Sequence, residues 1–123
     1  MPELPDVEVF RRYIDATSLH QRIERVVVHT DEVIEGTTPA AWTDALKGES
    51  FTSTGRHGKY LFVHLERESP LVVMHFGMSG WLKYFQDRAD EPEYSRVLVS
   101  FDNGRHLSYC SKRKLGWVGL GDS

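Results

Sequence analysis

From residue 51 onward the chain is a series of short runs of β-branched and aromatic residues, each cut off by turn chemistry. The runs are residues 51–54, 60–65, 71–76, 81–84, 97–101 and 106–109. Between them stand Gly55, Gly58, Ser69 with Pro70, Gly77 and Gly80, Pro92, and Asn103 with Gly104. Such runs are strand-length, and several of them at regular spacing predict antiparallel strands folded into a sandwich or barrel. Asp102-Asn103-Gly104 is a hairpin signal, because Asn and Gly accept the positive φ that tight hairpin turns need.

The first fifty residues read differently. Residues 5–19 predict a helix: Pro5 suits a first turn, and Asp6 and Glu8 suit its positive end. Helical spacing would turn Val9, Tyr13 and Leu19 inward and leave Arg11, Arg12 and Asp15 outside. Residues 23–30, rich in Val, predict a strand. Thr38 followed by Pro39 predicts a capped second helix to about Lys47, with Gly48 ending it. The expected fold class is α+β, mainly β: an antiparallel β-sandwich flanked by an N-terminal helix and a second short helix.

At 123 residues, 40% apolar and 27% charged, the chain has the composition of one globular domain. No apolar run approaches the ~18 residues of a membrane span. The acidic, Pro-containing N-terminus lacks the basic and apolar stretches of a signal peptide. Cys110 is the sole cysteine, so the chain can form neither an internal disulfide nor a cysteine zinc site of its own. A single thiol fits a reducing cytosol. The net charge of −3 argues weakly against a nucleic-acid partner, but its distribution does not. Asp87, Asp90, Glu91 and Glu93 make residues 87–93 an acidic segment, expected to be a solvated, mobile loop. Arg105, Lys112, Arg113 and Lys114 make residues 104–114 basic with no acid among them. Phosphate binding follows the local patch, not the chain total.

Four segments could carry chemistry. Pro2 and Glu3 are either a loose terminus or, once Met1 is removed, a secondary amine beside an acid. A terminal amine titrates near ~8, well below lysine, so more of it is neutral and nucleophilic. Thr54-Gly55-Arg56-His57-Gly58-Lys59-Tyr60 is either a glycine turn with solvated charges or a lysine aimed at an anion from a strand edge. His75-Phe76-Gly77-Met78-Ser79-Gly80 places an apolar Met among glycines. That Met either folds into the core or forms a wedge that enters DNA where a base has left. Ser111-Lys112-Arg113-Lys114-Leu115-Gly116 is either a basic loop with one buried Leu or a phosphate-contacting loop with a second wedge.

Taken together and in this order, Met1-Pro2-Glu3-Leu4-Pro5-Asp6-Val7-Glu8, Gly55-Arg56-His57-Gly58-Lys59-Tyr60-Leu61, His75-Phe76-Gly77-Met78-Ser79-Gly80 and the closing basic loop resemble the formamidopyrimidine-DNA glycosylase (MutM) family of the wider Fpg/Nei group. The resemblance runs from residue 1 to about residue 120. Leu4-Pro5 is similar to the formamidopyrimidine branch, whereas the endonuclease VIII branch usually has Gly-Pro there.

The resemblance implies base-excision repair of oxidised purines, such as 8-oxoguanine and formamidopyrimidines, in damaged double-stranded DNA. It implies a glycosylase and abasic-site lyase working through an N-terminal proline Schiff base with β,δ-elimination. Pro2 matches the nucleophile, Glu3 the proton donor and Lys59 the lysine that contacts a phosphate by the lesion. Met78 matches the void-filling methionine and Arg113 the arginine facing the orphaned base. Arg56, His75, Lys112, Lys114 and Leu115 complete the expected DNA contacts. The family's closing loop usually reads Asp-Pro-Arg-Arg-Phe-Gly; here Lys112 stands for Pro, which should loosen the loop, and Leu115 for Phe. Residues 1–123 are expected to be a single N-terminal catalytic domain. The family's helix–two-turn–helix and zinc-finger parts are absent from the chain, and no cofactor is expected within it. The resemblance also implies a bacterial cytoplasmic monomer with no membrane partner, acting at the nucleoid. A non-catalytic damaged-DNA-binding module of the same fold is the alternative, and another N-terminal-proline enzyme such as a tautomerase is a third class.

Overall fold

In strands whose alternate side chains are apolar, one face of each must be covered, and two such sheets cover each other. The computed structural model describes residues 4–122 and shows this arrangement. Helix α1 (Leu4–Thr17) is followed by strand β1 (Ile23–Val28), a 3-10 turn at Asp31–Val33 and helix α2 (Pro39–Leu46). Strands β2 (Phe51–His57), β3 (Tyr60–Leu65), β4 (Leu71–His75), β5 (Trp81–Phe85), β6 (Ser95–Phe101), β7 (His106–Cys110) and β8 (Trp117–Gly121) follow. One sheet has the order β1-β6-β7-β5 and the other β2-β3-β4-β8, all antiparallel.

Leu61, Val63 and Leu65 of β3, Val72 and Met74 of β4, and Val118 of β8 meet Val97, Val99 and Phe101 of β6 and Leu107 and Tyr109 of β7 in one core. Phe51 and Phe101 join the sheets edge-to-face, with ring centroids 6.1 Å apart. Helix α1 adds Val7 and Ile14, and α2 adds Trp42, Ala45 and Leu46. The Trp42 indole nitrogen donates to the Gly119 carbonyl at 3.1 Å, tying α2 to β8. Thr38 caps α2 as expected, its hydroxyl accepting from the Ala41 amide at 3.1 Å.

The structure corrects three expectations. Val9 is 60% exposed; the buried stripe of α1 runs through Val7 and Ile14, with Phe10 and Tyr13 packed beside it. Strand β2 passes straight through Gly55, and the turn falls at Gly58-Lys59. Trp117–Gly121, where no strand was expected, pairs along the whole of β4. Its two glycines weaken the sequence signal for a strand. The acidic segment is largely exposed, as expected, and carries local structure: Asp87 caps a 3-10 turn at Arg88–Asp90, and Glu91 bonds His29 at 2.9 Å. The Asn103-Gly104 hairpin between β6 and β7 forms as expected, with Gly104 at φ +84°.

Candidate nucleic-acid interface

Pro2 and Glu3 lie outside the described residues. The other expected contacts gather at one end of the β2-β3-β4-β8 sheet, because three connections meet there. They are the β2–β3 turn, the segment after β4 and the segment leading into β8.

The β2–β3 turn has only two residues between the paired His57 and Tyr60. Gly58 takes φ +60°, which a tight hairpin favours at its first central position. Lys59 is the second turn residue, so it stands at the tip of the hairpin and not within the strand. Arg56, just before the turn, is held by α1: its Nε lies 3.4 Å from Glu8 Oε1, and its guanidinium donates to the Gly58 carbonyl at 3.0 Å. Glu8 also pairs with Arg11 and Arg12. Hydrogen bonding by Arg11, with help from Arg12 and Arg56, holds the Glu8 carboxyl down at about 2.

His75 closes β4. Its Nδ1 accepts from the Gly77 amide at 3.1 Å. A backbone N–H can only donate, so Nδ1 is bare and the ring hydrogen of the neutral imidazole sits on Nε2. Burial, then the nearby Lys59 charge, pushes the His75 pKa below its usual value. His75 is therefore a neutral donor beside a cation. Its carbonyl accepts from the Tyr109 hydroxyl at 2.6 Å, and burial keeps that phenol protonated far above its ordinary range.

Met78 follows on an exposed turn closed by Gly80 donating to the Phe76 carbonyl at 2.8 Å. Its side chain is 49% exposed, so it is not folded into the core. Leu115 is likewise exposed, at 47%. The two loops touch through backbone: a β-carbon on Gly77 would stand 2.6 Å from both Leu115 C and Gly116 N. Gly116 in turn is packed against Tyr109, His75 and Phe76, with no room for a side chain.

The basic loop is anchored at its root. Ser111 is buried, and its amide donates to the Tyr94 carbonyl at 3.1 Å. Arg96 donates from Nε to the Ser111 carbonyl at 2.8 Å and from its guanidinium to the Lys112 carbonyl at 3.1 Å. Arg96 and Lys112 each lie 5.8 Å from the Tyr94 ring centroid. Arg96 was not foreseen, because it stands within a strand and is distant in sequence from the loop it holds. Beyond the root, Lys112 and Arg113 are exposed. Lys114 takes the left-handed φ of +55° and reaches Glu32 at 3.4 Å.

None of these residues lines either of two clefts formed by the described residues. One of about 440 Å³ is bounded by His29, Arg88, Glu91, Pro92, Glu93 and Ser95. The other, about 250 Å³, lies near Glu24, Arg25, Arg88 and His106. Among the described residues no cluster of His, Cys, Asp and Glu could hold a metal ion, and no helix is long and apolar enough to cross a membrane. Among the described residues, this end of the sheet carries two apolar tips, a basic loop and a lysine-tipped hairpin.

Residues 1–118 match the family model described as the formamidopyrimidine-DNA glycosylase N-terminal domain. The chain belongs to this family. It is 36% identical over 116 residues to the formamidopyrimidine-DNA glycosylase of Moorella thermoacetica, covering 94% of this chain and 42% of that protein. Over 134 residues it is 34% identical to the formamidopyrimidine-DNA glycosylase of Arabidopsis thaliana, covering 98% of this chain and 34% of that one. It thus spans well under half the length of these glycosylases. The fold is similar to Lactococcus lactis Fpg (MutM) solved with DNA containing N7-benzyl-Fapy-dG, at a TM-score of 0.89 and 24% identity over 97% of this chain and 43% of that one. It is equally similar to the same organism's Fpg solved with abasic-site DNA, at a TM-score of 0.88 over 96% and 43% of the two chains. The mainly β sandwich with two helices is the fold of the glycosylase N-terminal domain.

Proposed function

We propose that this chain is the N-terminal catalytic part of a DNA glycosylase and abasic-site lyase that removes oxidised purines in base-excision repair. The match to the glycosylase N-terminal domain over residues 1–118 carries this reading. The convergence of Lys59, His75, Met78, Arg113 and Leu115 at one end of one sheet supports it. So do the DNA complexes of the Lactococcus lactis protein.

In this reading the Pro2 amine, freed by removal of Met1, attacks C1′ of the damaged nucleoside. The C1′–N bond breaks, its electron pair leaves with the base, and Glu3 supplies a proton. The amine then loses its proton and the C1′–O4′ bond opens, O4′ taking a proton, to give an iminium that acidifies the neighbouring C2′–H; successive eliminations cut the strand on both sides. Lys59 and the neutral His75 donor take the phosphate beside the lesion. Met78 and Leu115 fill the space left by the extruded nucleotide, and Arg113 faces its former partner. The partner is damaged double-stranded DNA and the acting unit a cytoplasmic monomer. The chemistry draws on no cofactor from these residues. The chain alone grips DNA weakly, since few cations face the phosphates.

Borohydride trapping on abasic-site DNA tests this. A preparation lacking Met1, verified by mass spectrometry, should form a covalent adduct, and one retaining Met1 should not, because an amide nitrogen has no free lone pair. DNA binding without any adduct from the processed chain would move the reading to a binding module.

A further inference from the structure

Lys59 does not stand beside bare backbone. The register that sets Leu61 opposite Met74 brings Tyr60 alongside His75, and His75 pairs directly with Trp117. Three rings therefore cluster over β3, β4 and β8, each in contact with the other two. Ring centroids are 5.4 Å apart for Tyr60 and His75, and 5.9 Å for both Tyr60–Trp117 and His75–Trp117. The His75 and Trp117 planes differ by only 8°. These rings point away from the core, which is lined by the alternate residues Leu61, Met74 and Val118. Tyr60 is 42% exposed, and His75 and Trp117 are half-buried.

Aromatic surface left exposed in such a cluster is costly to keep in water unless something stacks on it. What stacks here is constrained by its surroundings. The ledge is rimmed by the Lys59 hairpin tip at Tyr60 and by the two apolar loop tips that flank His75 and Trp117. The neutral His75 ring adds an N–H donor. An exposed aromatic cluster, a donor and a cation together suit a nucleotide: base on the rings, phosphate at the lysine. We propose that Tyr60, His75 and Trp117 form a stacking ledge for one unpaired nucleotide of the damaged strand. The inference rests on the glycosylase reading and adds to it a subsite, with Trp117 and Tyr60 as DNA-contacting residues.

Trp117 reports on its own proposal. Trp42 is buried and Trp81 lies on β5 in the other sheet, so Trp117→Phe identifies how much of the emission change belongs to the ledge. A duplex bearing an abasic-site analogue should quench Trp117 emission, and Trp117→Ala should weaken its binding by about tenfold at low salt, a typical effect of losing one stacked base. Trp117→Phe should keep most of the affinity. If Trp117→Ala unfolds, as judged by circular dichroism, Tyr60→Ala carries the same test from an exposed position. Wild-type binding with no Trp117 quenching, or unchanged affinity in the folded alanine variants, overturns the ledge and leaves the glycosylase reading standing. Failure of the wild-type chain to bind the damaged duplex even at low salt overturns both. A Trp117 that acrylamide cannot quench before DNA is added shows that protein already covers the ledge, which also overturns it.

Discussion

Gly77 lies against the peptide that joins Leu115 to Gly116, so close that a β-carbon on Gly77 would stand 2.6 Å from Leu115 C and from Gly116 N. The turn that exposes Met78 and the loop that exposes Leu115 are thereby a single unit. Moving one apolar tip moves the other.

Gly116→Ala should therefore be destabilising well beyond an ordinary loop substitution. The new methyl would press on Tyr109, on the His75 carbonyl and on Phe76, and a packed interior accommodates such an addition only by shifting backbone. Overpacking of this kind costs about 1–3 kcal/mol, read as a lower denaturant midpoint at unchanged slope. Ser79→Ala, on the exposed turn, should leave the midpoint within about 0.5 kcal/mol of wild type.

Arg96 should decide how ordered the basic loop is. Its two donations to the Ser111 and Lys112 carbonyls counter the loosening expected from Lys112 in place of Pro. Arg96→Ala should raise the rate of Lys-C cleavage at Lys112 and Lys114 severalfold and lower stability by about 1–3 kcal/mol. Arg96→Lys should rescue little, because one ammonium cannot present the two fixed donors of a guanidinium fork. Equal cleavage rates in wild type and variant would show that the loop is held by its other contacts.

The sheets, both helices and the Asn103 hairpin were legible in the sequence, because each rests on local chemistry: alternation, a Thr-Pro cap, an Asn-Gly turn. The exposure of Met78 and Leu115 was visible only as one of two alternatives, since an apolar residue between glycines says nothing of which way it faces. Strand β8 was not legible. Its glycines at 119 and 121 are there because neighbours crowd them: a β-carbon at Gly119 would stand 2.5 Å from the Glu35 carbonyl oxygen. The ring cluster and the Arg96 anchor depend on register between strands distant in sequence. Nothing in the residues around Tyr60, Arg96 or Trp117 discloses that register.

Cys110 should be inert in the native chain. It is fully buried on β7, its sulfur 3.3 Å from the Ser108 hydroxyl, and burial pushes its thiol up to about 11. The thiolate that reacts is thus scarce at neutral pH as well as shielded. Iodoacetamide at pH 7.5 should label the folded chain on the order of a hundredfold more slowly than the chain in guanidinium chloride. Comparable rates would mean that the face of β7 opposite the core opens freely.

Glu8 sets the acid limit of the α1–β2 contact. Arg11, Arg12 and Arg56 converge on it, and its carboxyl falls from an ordinary 4.5 to about 2 in the folded chain. A carboxyl with a lower pKa folded than unfolded binds fewer protons in the native state. Its stabilisation is therefore complete above about pH 4.5 and drains away as pH falls toward 2. Thermal unfolding of wild type and Glu8→Gln across pH 2 to 7 isolates this contribution. The two curves should lie furthest apart at neutral pH and approach each other below pH 4.5. The same substitution should leave Arg56 held only by the Gly58 carbonyl, loosening the hairpin that carries Lys59. A gap between the curves that stays constant down to pH 2 would show that the three arginines stabilise this helix without drawing on the Glu8 charge.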